Sequence, residues 1–328
     1  MSAVLPQPPG WLILDKPRGL GSTQAVGAVK RCLRAAGYGK VKVGHGGTLD
    51  PLAEGVLMIA LGEATKLAGR MLDADKIYEF TIQFGTQTDT LDTEGVVVAT
   101  SDRRPPRAAV GAILEHFTGP IEQAPPVYSA IKVDGRRAYD RARAGEEVEM
   151  QLRSVTVHSL EVLGGADSGE VGSTFATTAG RPDPYDPAAP LELADSITLV
   201  AHVSKGTYIR SLARDIAHAL GTVGHVTYLR RTKAGPFTQN QAISLDTLEE
   251  IGKGARLEDH LLPLEAGLDG ILALSLNPES AQAVRQGRVI SGLPNSDGLH
   301  LATLDSVPVA LMEVIGGTAT VVRGFNIA

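Results

Sequence analysis

The sequence predicts a chain of mixed helices and strands ending in a small β module, and three observations carry that reading. Residues 77–84 and 196–204 alternate apolar and polar side chains with period two, the pattern of half-buried strands. Ile209, Leu212, Ala213, Ile216, Ala217 and Leu220 recur at helical spacing, and Gly221 follows as a stop. Beyond about residue 271, short alternating runs at 299–304, 308–314 and 318–322 are separated by Pro and Gly turns.

Taken in order, residues 11–14 form a short apolar strand that ends at a Pro-Gly turn, 15–19. Ser22 or Thr23 caps a helix over about 24–36, whose basic side carries Lys30, Arg31 and Arg34. Residues 56–61 are a continuous apolar run of buried-strand length. A helix over 63–74 turns Leu67, Met71 and Leu72 inward, and the next strand puts Tyr78, Phe80, Ile82 and Phe84 on one face. In the polar loop 85–95, Thr88, Asp89, Thr90 and Asp92 are turn formers; the alternating ligands and closing Glu of a calcium loop are missing. A helix covers 107–117. Residues 164–195, rich in Gly, Ala, Pro and Asp, read as a loosely ordered insertion between two strands. Thr207 caps the 209–220 helix and leaves Arg210 in its first turn, where a cation opposes the helix dipole and calls for a carboxylate partner. A further helix spans 244–251, and a linker runs through 267–270.

With 328 residues, two domains or one domain with an appendage are expected. No apolar run reaches membrane-spanning length, and the first ten residues lack a signal-peptide pattern. Cys32 is the only cysteine, which excludes an internal disulfide and a cysteine zinc cluster, so the cytoplasm is the expected compartment. The net charge is −6, of which residues 164–195 contribute −5. Elsewhere cations cluster: five within 30–42, then Lys132, Arg136, Arg137, Arg141 and Arg143, then Arg230, Arg231 and Lys233. Such patches are either solvated faces or the footprint of phosphate binding.

The stretch with most chemistry is 43–55, Val-Gly-His-Gly-Gly-Thr-Leu-Asp-Pro-Leu-Ala-Glu-Gly. It sets one carboxylate, Asp50, and one imidazole, His45, among four glycines, with Pro51 holding Asp50 extended. From composition alone an Asx-type turn is the plainer reading. As a sequence, however, it resembles the nucleophile motif of the TruB family of tRNA pseudouridine synthases. Further stretches match that family in order: Lys16-Pro17 with Gly19; Lys76-Ile77-Tyr78; the loop 85–95; Pro125 to Lys132; Lys205 to Arg210; and 225–233.

The resemblance implies an α+β fold: a pseudouridine-synthase core with a mixed, mostly antiparallel sheet and flanking helices, then a small PUA-like β domain. The implied domains are 1–268, with a mobile thumb at about 124–152, and 269–328. It implies that Asp50 is the catalytic aspartate and that Arg210 pairs with it. His45 would fill the base stack vacated by a flipped nucleotide. Tyr78 would stack on the target base and take a proton from the ribose, with Tyr208 and Leu229 lining the pocket. Lys16 and Pro17 would support the loop. Lys132, Arg136, Arg137, Arg141, Arg230 and Arg231 would meet the RNA backbone. The implied substrate is a uridine at position 55 in the T arm of tRNA; no cofactor, metal or membrane is involved, and a monomer is expected. Carboxylate attack on ribose C1′ and on uracil C6 both stay open. Two other classes compete: a carboxylate nucleosidase with water as acceptor, and a noncatalytic RNA-binding module. A glycoside hydrolase would want two spaced carboxylates.

Overall fold

The structure, a computed structural model, describes residue 5 and residues 8–129, 131–164, 192–294 and 296–327. Two compact units form, one from 1–72 with 234–328 and one from 73–233.

In the first unit, Gly10–Lys16 pairs antiparallel with Glu54–Leu61, and Val43–His45 pairs with the far end of the same strand. Trp11, Ile13, Val56, Met58 and Phe237 share a core with Leu301 and Leu311 of the C-terminal strands and with Phe325 just after the last of them. Trp11 Nε1 donates to the Leu264 carbonyl at 3.1 Å. A Cβ on Gly267 would fall 2.6 Å from the Trp11 ring, so the expected linker at 267–270 begins with a residue packed on the core. The tail forms a five-stranded sheet with Leu274, Ala281, Val309, Met312 and Val314 in a core of its own. Its strands Gly298–Leu304, Val307–Ile315 and Thr318–Gly324 lie where the alternation placed them. The helix Pro278–Arg285, capped by Asn277, was not expected in an all-strand tail.

The second unit is a sheet in the order Gly224–Ala234, Lys76–Phe84, Ser196–Val203, Arg153–Val162, Gly119–Gln123. The pairings from Lys76–Phe84 outward are antiparallel. Phe80, Ile82 and Phe84 on one face meet Leu212, Ala213 and Ile216 of the helix Ile209–Ala219. Leu72, expected inward, is 53% exposed because the helix there is only Ala68–Asp73 and turns Met71 to the core instead.

The expected insertion, 164–195, lies mostly outside the described residues, but its C-terminal end belongs to the fold. Arg107 N donates to the Glu192 carbonyl, Ala194 N donates to the Pro105 carbonyl, and Ala194 is buried. Arg104 Nε meets Asp195 at 2.9 Å. Deleting 167–190 is therefore expected to leave melting temperature and turnover near wild type. Extending the deletion through Asp195 should lower the melting temperature by a few degrees; parallel thermal melts of both variants check this.

Candidate active site

The Asp50 loop joins Val43–His45 to Glu54–Leu61, and buried polar groups hold it. Lys16 is fully buried, and its Nζ donates to the carbonyls of Pro17 at 3.0 Å, Leu20 at 2.7 Å and Pro51 at 3.3 Å. An ammonium has three protons to donate, and here each has a carbonyl. Gly19 N also donates to the Pro51 carbonyl, at 2.7 Å. The support role expected of Lys16 is thus visible atom by atom.

Ser22 does not cap its helix. Its hydroxyl instead accepts from Leu49 N and donates to the Leu49 carbonyl, both at 2.8 Å, clamping the residue before Asp50. The helix Ser22–Ala35 starts at Gly21, whose N–H donates to Gln24 Oε1. A Cβ on Gly46 would meet Met71 Cβ at 2.6 Å, and Gly55 has φ +97°, so both positions need glycine. His45 Nδ1 accepts a long bond from Gly47 N at 3.4 Å, and Asp50 is half-buried. Lys16→Met would take the ammonium donor from the carbonyls of Pro17, Leu20 and Pro51, of which Pro51 keeps Gly19 N. A stability loss of order 3 kcal/mol, read by denaturant unfolding, is expected together with a lower rate.

The other expected residues lie in the second unit. Tyr78 and Leu229 are half-buried and pack on the same core. Tyr208, not Thr207, is the N-cap of Ile209–Ala219; the Thr207 hydroxyl donates back to the Ser204 carbonyl. Gln123 Oε1 accepts from Tyr208 N at 2.8 Å, which fixes where that helix begins.

Arg210 is buried in the first turn, and its Nη1 donates to the Thr90 carbonyl at 2.8 Å and its Nη2 to the Tyr128 carbonyl at 3.1 Å. Nη1 also lies 3.4 Å from Asp92 Oδ2. Asp92, expected only as a turn former, is thus a charged partner of Arg210 within this unit. It keeps a turn role as well, accepting from Thr90 Oγ1 and from Glu94 N. The loop that presents it holds Leu91 at φ +62°, an uncommon conformation for a side chain of that size.

The thumb segment is a hairpin, Lys132–Val133 with Arg136–Arg137, followed by the helix Ala138–Arg143. Asp134 and Gly135 turn it with φ of +52° and +81°, as a tight two-residue hairpin loop requires. The segment is anchored by Tyr139, edge-on to Tyr128 at 6.0 Å, with the Arg143 guanidinium over the Tyr139 ring at 4.4 Å. Its cations are not equivalent. Arg141 is shared between Glu146 at 2.8 Å and Asp134 at 3.0 Å, and Arg136 meets Glu146 at 2.7 Å. Lys132 and Arg137 are exposed.

Arg230 is half-buried, whereas Arg231 is 1% exposed and its charge is felt at Lys76. A guanidinium so enclosed does not face a phosphate from solvent, and the backbone role expected of Arg231 is corrected on that ground. Burial first, and Arg231 second, push the Lys76 ammonium down to about 8.

A fold of this kind, with an aspartate loop and a helix-start arginine, is that of a pseudouridine synthase, and comparison with known proteins gives the family. Residues 30–180 match the TruB family pseudouridylate synthase N-terminal domain, and residues 210–269 match the tRNA pseudouridylate synthase B C-terminal domain. The tRNA pseudouridine synthase B of Novosphingobium aromaticivorans is 62% identical over 318 residues, covering 97% of each chain. That of Zymomonas mobilis is 54% identical over 317 residues, covering 97% of this chain and 96% of the other. Among solved structures, a Cbf5-Nop10-Gar1 complex aligns with TM-score 0.65 at 25% identity, covering 97% of this chain and 85% of that one. An H/ACA RNP bound to a substrate RNA containing 2'-deoxyuridine aligns with TM-score 0.66 at 23% identity, a likeness of fold. The chain belongs to the TruB family of pseudouridine synthases, which are isomerases. Among the described residues no helix is long and apolar enough to cross a membrane.

Proposed function

We propose that this chain converts one uridine in the T arm of tRNA, at position 55, to pseudouridine, with Asp50 as the group that acts on the nucleotide. The observation that carries the reading is the Asp50 loop itself. Its glycines, its Pro51 and the buried Lys16 and Ser22 hold one carboxylate at a sharp turn between two strands. In the reaction the N1–C1′ bond breaks, the uracil turns, and C5 bonds to C1′. C5 loses a proton and N1 gains one, so the product is an isomer and no redox partner is needed.

Asp50 acts as the nucleophile, on C1′ or on C6, and Arg210 serves as its cationic partner. Arg210 is itself placed by Asp92 and two carbonyls, which makes Asp92 a positioning residue. His45 takes the place of the flipped base, Tyr78 stacks on that base, takes a proton from the ribose once the N1–C1′ bond is broken and returns it as C5 bonds to C1′, and Tyr208 and Leu229 line the pocket. Flipping costs about a few kcal/mol of stacking, which contacts made to the extruded base offset. The proposed division is a catalytic domain over 1–268 and a PUA-like module over 269–328. The enzyme works in the cytoplasm as a monomer.

Release of tritium from tRNA carrying [5-³H]uridine tests the reaction directly, because C5 must exchange its hydrogen for C1′. Tritium set free in water, with the base kept in the RNA, is the expected result. Labelled uracil leaving the RNA would instead mark a nucleosidase.

Phosphate contacts fall to the exposed cations, Lys132 and Arg137 foremost, since Arg136 and Arg141 already serve carboxylates of the thumb. Replacing Lys132 and Arg137 by Ala is expected to lower the slope of log affinity against log salt by about 1.4 to 1.8. The rate at saturating RNA should change little. Binding measured at four salt concentrations checks it, and an unchanged slope removes the hairpin from the RNA footprint.

A further inference from the structure

The second unit carries a cluster on the sheet face opposite Tyr78. His202 lies directly across from Ile77 and therefore shares its face, whereas Tyr78 pairs with Ala201 on the core side. Asp75 immediately precedes the strand Lys76–Phe84, two residues before Ile77. His158 arrives by a β-bulge: Val157 pairs with Val203 and Ser159 with His202, so His158 is the extra residue between them. The bulge turns it outward beside His202 while Val157 stays buried.

The result is two imidazoles from adjacent strands and one carboxylate from the residue that leads into the next strand of the sheet. His158 Nε2 lies 3.3 Å from Asp75 Oδ2, and His202 Nε2 lies 3.8 Å from the same oxygen. The two rings are 4.7 Å apart between centroids, and one donor atom from each residue lies within 4.8 Å of the others. Ligand atoms around a tetrahedral ion with bonds of about 2.0–2.2 Å stand roughly 3.3–3.6 Å from one another. One contact already has that length, and the side chains are each between 37% and 48% exposed, so they can close the rest by rotation. The donor set suits a borderline transition cation; magnesium and calcium prefer oxygen alone. The ordinary alternative is a pair of surface histidines sharing a hydrogen bond with an aspartate.

We propose that Asp75, His158 and His202 form a three-ligand surface site for a divalent transition cation of the zinc type, with water in the fourth position. The ion clips together three neighbouring strands at one end of the sheet. It takes no part in the isomerisation, for which no metal was expected. Lys233 lies close enough to His202 for its charge to be felt there, which weakens the site.

Calorimetric titration of the metal-stripped full chain with zinc chloride, paired with thermal melts, tests the proposal. One equivalent should bind saturably and raise the melting temperature. His158→Ala and His202→Ala should each weaken binding on the order of 100-fold or more, beyond what loss of a supporting partner costs. Asp75→Asn, which keeps the shape, should weaken it too, and Lys233→Ala should tighten it. Melts without metal confirm that each variant folds. No saturable binding, or binding unchanged in the His158→Ala, His202→Ala double variant, would overturn the site.

Discussion

Asp50→Asn is expected to bind tRNA with near wild-type affinity and to turn over several orders of magnitude more slowly, the scale of losing an essential nucleophile. The substitution keeps size and hydrogen-bonding shape and removes only the charge. The loop should survive it, because the backbone is also held on either side of Asp50. Lys16 grips the Pro51 carbonyl and Ser22 grips the Leu49 backbone, on either side of Asp50. Single-turnover rates alongside filter-binding affinities separate the two effects. Activity within about tenfold of wild type would take the reaction away from Asp50.

Arg210→Ala is expected to cost nearly as much in rate with a modest loss of affinity. The guanidinium is buried, and it ties the helix start to the carbonyls of Thr90 and Tyr128 and to Asp92. Removing it leaves Asp92 buried without this cation, and breaking such a pair costs about 3–5 kcal/mol. Stability must therefore be measured beside the rate. Asp92→Asn separates placement from chemistry. It keeps the turn bonds to Thr90 and Glu94 while weakening the hold on Arg210, so a smaller fall in rate than for Arg210→Ala is expected. Collapse of tRNA binding with the single-turnover rate retained would make Arg210 an RNA contact instead.

The parts of the site legible in the sequence are those whose chemistry is local. Glycines and a proline around one carboxylate specify a turn at Asp50, but only the resemblance of that stretch to a family motif marks it as a site. Periodicity gives the strand of Tyr78, the helix of Arg210 and the strands of the tail, while the role of Tyr78 again comes from the resemblance. What the sequence hid depends on partners far along the chain. Ser22 has the look of a cap, yet its hydroxyl goes to Leu49, because a buried backbone needs it more than a solvated helix end does. Asp92 looks like any turn aspartate until Arg210, more than a hundred residues later, is folded against it. Strand alternation sets Arg231 on the side of Leu229 and Arg230 on the other, a separation that a count of neighbouring cations does not show. The thumb cations show the same limit: charge counted along the chain does not reveal that Glu146 takes up two of them.

The central claim is that the Asp50 loop rearranges one uridine within RNA. Incubating the purified chain with an unmodified tRNA transcript and mapping pseudouridine along it tests that most directly. One new pseudouridine at position 55 of the T arm, formed by wild type and absent with Asp50→Asn, is the predicted result. An unmodified transcript, pseudouridine at other positions alone, or a T arm that has lost its base would contradict it.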